Sequence, residues 1–351
     1  MSLVKSSASN STPFGSTTSS FYKAGIWTYN MLLPTWPAII LFGLFANTTN
    51  IVVFIKTGVK DNVTTLMLAL SVSDLLYLTL MTPLACAFVI LHFQNDWSFA
   101  FDTDFITELL YWPAIVCYDF SAFISVLLGV TRCACVAKPL KFKSVFTKAR
   151  TVKLVLASFV LALSLRMPII SVYRVARRKD PDTNISYLYV AKHNKESMTR
   201  INDILNRNSL LYINFVIMIT CVCILSYKLY QASKKRRSYS SALAPDWKGA
   251  SEKQGNQGLS SKDLHVIQSV VLVGSIFIMS QAPFLMYSTA RLVIPGFDAD
   301  AGLHYIFIIC TTISLTCSYL NATVNIFVYY NYNSKYKAAI LSAMKDTKLK
   351  F

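Results

Sequence analysis

Residues 120–142 read FSAFISVLLGVTRCACVAKPLKF: a long apolar run, one arginine at its foot, Arg132, then Lys138, Pro139 and Lys141. A charge inside hydrocarbon is expensive, so an arginine at that depth marks either a helix end at an interface or a group that does work. The run is long enough, with its continuation toward the N-terminus, to cross a bilayer, which takes about 20 mostly apolar residues as a helix.

Stretches of the same kind recur. Seven can be counted, about 32–56, 63–91, 105–130, 152–175, 209–231, 266–294 and 303–330, with short polar segments between them. Of the 351 residues 54% are hydrophobic and only 15% charged. A soluble domain carries roughly a quarter charged residues. The expected fold class is therefore an all-α membrane protein, a bundle of seven transmembrane helices. The odd number of spans and the lack of a repeat argue against two inverted halves.

Basic loops set the expected orientation. Residues 138–153 hold Lys138, Lys141, Lys143, Lys148, Arg150 and Lys153 and no acid, and residues 228–262 begin with Lys228, Lys234, Lys235, Arg236 and Arg237. The C-terminal tail adds Lys335, Lys337, Lys345, Lys348 and Lys350. All three fall on one side if the N-terminus is outside and the C-terminus cytosolic. The net charge of +17 then reads as topology and attraction to anionic lipid, not as a nucleic-acid surface. The organisation expected is an extracellular tail over 1–29, a membrane domain over 30–331 with a cytosolic loop at about 234–262, and an amphipathic helix and tail over 332–351. In that last segment Tyr336, Ile340, Leu341 and Met344 share a face opposite lysines, as in a surface-lying eighth helix.

The first 25 residues are rich in serine and threonine without an apolar core, unlike a cleavable signal. Asn10 and Asn184 head glycosylation sequons on the expected outside. All eight cysteines fall within spans or at their ends, so no extracellular disulfide is expected and the outer loop over 174–207 should be comparatively mobile.

Polar groups inside spans carry the information, since each is costly unless satisfied. They are Asn47 and Asn50 in span 1, Asp74 in span 2, Asp119, Ser121 and Arg132 in span 3, Arg166 in span 4, and Asn321 and Asn325 in span 7. Each could simply pair locally and glue helices. Side chains on a helix lean toward its N-terminus, so Asp119 on an inward-running span 3 and Arg166 on an outward-running span 4 could meet.

GLFANTTNIVVF, LALSVSDLL, SAFISVLLGVTRCACVAKPLKF, FIMSQAP and NATVNIFVYYNYNSKYK, taken together, resemble the rhodopsin-like (class A) G-protein-coupled receptors over residues 30–345. The texture resembles divergent invertebrate orphan receptors of the peptide-type or chemosensory kind. On this resemblance Asn47, Asp74 and Arg132 match the family's residues in spans 1 to 3, with Thr131-Arg132-Cys133 where the family has Asp-Arg-Tyr. Phe277 and Pro283 match the span 6 motif, with Ser280 and Gln281 between them in place of Cys and Trp. Asn325 and Tyr329 match the span 7 motif, with Ile326 in place of proline. Thr107 stands where the family's disulfide cysteine does, span 4 lacks tryptophan, and Ile219 stands for the span 5 proline.

The resemblance implies a ligand-activated receptor that promotes nucleotide exchange on a heterotrimeric G protein, with Thr131, Arg132, Cys133, Tyr227, Asp263 and Tyr329 at the coupling end. It implies a core switch at Asn47, Phe277, Gln281 and Pro283, where the proline should kink span 6. Asp74, Ser121, Asn321 and Asn325 resemble the family's sodium site; oxygen ligands suit a hard cation, and proton uptake by Asp74 is the competing way to neutralise it. No other cofactor is expected. Ligand-pocket candidates are Ala114, Asp119, Arg166, Gln281 and Tyr319. Ala114 stands where amine receptors carry an aspartate, which speaks against a biogenic amine, and Tyr319 stands where opsins carry lysine. The ligand expected is a neuropeptide or a chemosensory small molecule. The alternative is a transporter or channel-like multi-span protein, which would need a continuous polar path. No nucleophile–base set, phosphate loop or metal-ligand spacing suggests an enzyme.

Overall fold

A computed structural model of the chain describes residues 15–59, 61–93, 103–137, 146–179, 186–192, 195–242, 261–298 and 302–348. Among them seven helices are long and apolar enough to cross a membrane: Lys23–Thr57, Asn62–Ile90, Thr107–Ala137, Lys148–Ile170, Ser197–Lys234, Ile267–Val293 and His304–Tyr332, here spans 1 to 7. The all-α membrane class holds, with a short eighth helix at Ser334–Lys348. Large apolar side chains such as Leu41, Phe45, Leu156 and Val160 stand exposed on the bundle's outside, as lipid-facing residues do.

Several boundaries differ from the hydropathy reading. Within the segment assigned to a tail, residues Gly15–Leu32 are helical, and span 1 opens at Lys23. A short tight turn, Leu33–Thr35, carries Pro34 and joins that helix to Trp36–Thr57. Proline fits there because the first helical turn has no use for its missing N–H. Gly58, at φ 80°, ends span 1 in a conformation that disfavours any side chain. Span 5 continues as helix to Ala242 and the helix of span 6 begins at Ser261, shortening the loop expected at about 234–262.

Span 3 is the most enclosed, with 56% of its central window buried, and span 4 the least, with 17%. Span 3 is thus the axis on which the others are arranged. Glycine permits the closest approach: a Cβ on Gly43 would sit 2.5 Å from both Leu78 Cδ1 and Thr323 Oγ1, so spans 1, 2 and 7 touch almost backbone to side chain there. At one end of the bundle Trp36, Tyr77, Ala114, Tyr118 and Tyr319 share a core.

That end also carries, among the described residues, the one pair of strands. Tyr173–Lys179 (β1) and Ser186–Lys192 (β2) form an antiparallel hairpin, Tyr173 opposite Lys192 and Lys179 opposite Ser186. The loop expected to be loose is therefore held by a backbone ladder. Its root is pinned by Trp112, Ile169 and Val172 in one apolar cluster, with the Trp112 and Tyr173 rings 5.9 Å apart. All eight cysteines are free; the hairpin's own hydrogen bonds do the tethering. At the opposite end Asn62 Nδ2 donates to the Phe146 carbonyl and Lys148 Nζ to the Val59 carbonyl, tying the loop after span 1 to the foot of span 4.

Candidate functional site

The polar groups fall into three layers, from the hairpin end to the tail end. In the middle layer Asp74 is 1% exposed and accepts hydrogen bonds from Ser121 Oγ at 2.6 Å and Asn325 Nδ2 at 2.9 Å. Spans 2, 3 and 7 are thereby joined through one carboxylate whose bonded neighbours are both neutral. Asn321 was expected in this cluster, but among the described residues no hydrogen bond joins it to Asp74. A regular helix would place positions 321 and 325 on one face; span 7 is interrupted at Val324, between His304–Thr323 and Asn325–Tyr332, and that phase is lost. Asn47 Nδ2 donates to the carbonyls of Gly43 at 3.0 Å and Ala322 at 2.7 Å, clamping span 1 to span 7 at the interruption.

In the tail-end layer Arg132 is half-buried. Thr131 is buried and turns its hydroxyl back onto the Leu128 carbonyl at 3.0 Å. Cys133 Sγ donates to the Cys221 carbonyl of span 5 at 3.5 Å. Tyr329 is fully buried with Phe54 and Tyr336, ring centroids at 5.2 and 5.9 Å. Its hydroxyl lies buried beside Ser71, and neither oxygen has ordinary hydrogen-bond geometry to a partner. Tyr336, predicted on the membrane-facing stripe of the eighth helix, is instead in the core, and its hydroxyl donates to Asn50 Oδ1 at 2.6 Å. Burial pushes its phenol up to about 12, so it remains a donor at physiological pH. Tyr227, expected to meet Arg132 on activation, is 60% exposed on the outside of span 5 in this arrangement. Leu225 of the same helix is fully buried, and two residues are about 200° of helical rotation, which turns Tyr227 away from Arg132. The side chain of Asp263, and Asn10 and Asn184 altogether, lie outside the described residues.

In the hairpin-end layer Gln281 is 1% exposed, and its Nε2 donates to the Tyr118 hydroxyl at 2.7 Å. Tyr118 lies against Tyr77, centroids 5.0 Å apart, and the Tyr77 hydroxyl bonds Ser318 at 2.7 Å. Gln281 thus belongs to a chain of contacts that links spans 6, 3, 2 and 7. Phe277, one turn along, packs on Ala122, Val126 and Met218, and the helix runs unbroken through Pro283. Ala114 and Tyr319 are buried in the aromatic core with Trp36 and present little surface to a ligand.

Asp119 and Arg166 do meet. Arg166 Nε and Nη2 reach Asp119 Oδ2 and Oδ1 at 2.5 and 3.1 Å, and Nη1 reaches Asn202 Oδ1 at 2.8 Å. Asn206 Nδ2 donates to Asn202 Oδ1 and the Leu165 carbonyl, while Asn202 Nδ2 and Asn206 Oδ1 are buried without a hydrogen-bond partner. One charged residue was not anticipated: Arg207, 8% exposed, at the start of span 5. The stretch SMTRINDILNRN, residues 197–208, reads as a polar loop. It is helical, with a wider π-type turn over Asp203–Leu210, and only its packing shows that it enters the bundle.

The family model of the 7 transmembrane receptor (rhodopsin family) matches residues 46–329, starting beside Asn47 and ending on Tyr329. The chain belongs to that family and is a rhodopsin-like G-protein-coupled receptor, a multi-pass membrane protein. No individual curated protein matches it.

Proposed function

We propose that the chain is a plasma-membrane receptor, N-terminus outside and C-terminus cytosolic, that answers an extracellular ligand by promoting nucleotide exchange on a heterotrimeric G protein. The hairpin end is then extracellular, and Arg132, Thr131, Cys133 and Tyr329 face the G protein. The ligand is a neuropeptide or a chemosensory small molecule. Members of the family are generally not enzymes, and the protein's work here is a change of helix arrangement.

The observation that carries this reading is Asp74. A buried carboxylate bonded only to neutral groups on two other spans is a joint whose tightness depends on how its charge is balanced. The carboxylate oxygens, Ser121 Oγ and the Asn325 side-chain oxygen are donors of the type a hard cation takes, and a sodium ion held there would supply the missing positive charge. Protonation of Asp74 is the alternative. Arg132 has Thr131 where an acid would restrain it, so some ligand-free signalling is expected. In cells expressing the receptor, heterotrimer dissociation should be measurable above background without ligand, and Arg132→Ala should remove it at unchanged surface expression. An Arg132→Ala variant that signals like the parent would sink the reading.

A further inference from the structure

At the hairpin end Arg207 sits where spans 3, 5 and 6 converge. Its Nη2 lies 3.4 Å from the Tyr111 hydroxyl of span 3, and its carbonyl accepts from Ser288 Oγ of span 6 at 3.0 Å. Its Nη1 lies 3.4 Å from Asp203 Oδ1 without hydrogen-bond geometry, and neither atom has another hydrogen-bond partner. A charge-assisted N–H···O bond is normally about 2.7–2.9 Å, so this pair is in charge contact but unbonded. Asp203 is also divided: Arg291 Nη1 stands 3.8 Å from its other oxygen. Arg291 in turn bonds Asp298 at 2.9 Å. Side-chain exposure falls along this series, 47% at Asp298, 21% at Arg291, 16% at Asp203 and 10% at Arg207. The series is a graded path from solvent to a buried guanidinium. Arg291 is bonded to the outer carboxylate, Asp298, and is only in longer charge contact with Asp203, the carboxylate that faces Arg207.

A second unmatched group lies deeper. Gln281 Oε1 is buried without a hydrogen-bond partner, while its Nε2 is taken by Tyr118. Tyr111 and Tyr118 are seven residues apart on span 3, two turns on one face, or about 10 Å along the helix. Arg207 is at the level of the first and Gln281 at the level of the second. Aromatic rings stand near both: Tyr111 and Tyr118 themselves, Tyr77 against Tyr118, and Tyr287 with Phe307 at 5.4 Å. Buried polar atoms are nearly always satisfied in native proteins; an unbonded donor and an unbonded acceptor at two depths among these rings are groups that a ligand with complementary chemistry could satisfy.

We propose that Arg207 anchors a carboxylate of the receptor's ligand and that Gln281 accepts a hydrogen bond from a donor about 10 Å further along it, with an aromatic group of the ligand against the tyrosines. This rests on the reading of the chain as a ligand-activated receptor and adds the chemical class of the ligand: an aromatic acid, free or at a peptide's C-terminus, and not an amidated terminus. A guanidinium matches a carboxylate with two parallel bonds, whereas a carboxamide offers one acceptor oxygen and no charge.

The test uses the full-length receptor in lipid nanodiscs. The probes are tyrosine- and phenylalanine-containing tripeptides as free acids, the same tripeptides as C-terminal amides, and non-peptide arylalkanoic acids of matching length. Members of the acid sets should raise the melting temperature and their amides should not; which acid set responds tells a peptide terminus from a small molecule. Arg207→Gln should abolish the shift, Arg207→Lys should weaken apparent affinity at least tenfold, and Gln281→Leu should weaken it less. Equal shifts from acids and amides, no shift from any acid, or an acid shift that survives Arg207→Gln overturns the proposal. If Arg207→Gln does not fold, the acid-against-amide comparison on the parent and the Arg207→Lys affinity decide. G-protein activation is read separately. Binding without activation would count against the receptor reading and leave the site standing, and activation by an acid indifferent to Arg207 would do the reverse.

Discussion

Two of the guanidinium–carboxylate pairs in the hairpin-end half of this bundle, Arg166–Asp119 and Arg207–Asp203, are built differently. Arg166 holds Asp119 with two bonds, and its remaining Nη1 goes to Asn202. Arg207 faces Asp203 at 3.4 Å without a bond, and Asp203 is shared with Arg291. The first pair is closed. Its charges cancel locally and each of the three Arg166 nitrogens has a bonded partner, so it holds spans 3, 4 and 5 together. The second is open, with a buried nitrogen still to be matched. A buried charge in a membrane protein thus tells little by its presence; the completeness of its hydrogen bonding separates a structural joint from a receptive group.

The contrast is broken or sharpened most strongly at the closed pair. Arg166→Ala or Asp119→Ala leaves an uncompensated buried charge, which costs about 3–5 kcal/mol. Each should abolish surface expression, and the exchange Asp119→Arg with Arg166→Asp should recover part of it, measured by flow cytometry on intact cells. Harmless single substitutions would mean the pair is not closed in the sense argued.

Asp74, a further buried acid, is bonded to neutral groups only. If sodium balances it, the purified receptor should melt higher in sodium than in potassium at equal ionic strength, by about 1.4 kcal/mol when sodium is tenfold above its dissociation constant. Asp74→Asn should fold and lose that dependence. A sodium effect that persists in Asp74→Asn, or none in the parent, would remove the ion from this account and leave the proton.

Loss of the open pair should matter less to stability. Arg207→Gln leaves Asp203 with Arg291 close by, and a cost of about 1 kcal/mol is expected, with surface expression nearly intact. A collapse of expression like that of Arg166→Ala would make the two pairs alike. The smallest effect concerns a neutral contact at the tail end: Tyr336→Phe deletes the hydrogen bond to Asn50 and should lower thermal stability by up to about 1 kcal/mol. No change at all would show the eighth helix to be held by its ring packing alone.

Much of this was legible in the sequence because a bilayer imposes one-dimensional rules. Span number follows from apolar run length. Asp74, Ser121, Asn325, Asn47, Asp119 and Arg166 stand out because polar groups within such runs need partners, and the helical lean predicted that Asp119 and Arg166 could meet. Boundaries and facing were less legible. The polar start of span 5 reads as loop because its helix is stabilised by burial against spans 3 and 6, which composition does not record. The directions of Tyr227 and Asn321 were not legible for a related reason: a residue's direction depends on helix phase, which the interruption at Val324 alters, and on which face of span 5 its neighbours cover.

The sequence by itself determined that this chain is a seven-span membrane protein of the rhodopsin-like kind, since apolar runs and a handful of intramembrane polar residues depend only on local chemistry. The tertiary structure alone decided that the loop between spans 4 and 5 is a hairpin, that Tyr336 is core, and that one arginine pair is complete while the other is open. Those outcomes depend on side chains far apart in the chain arriving at one depth and one angle, and only the packed bundle sets both.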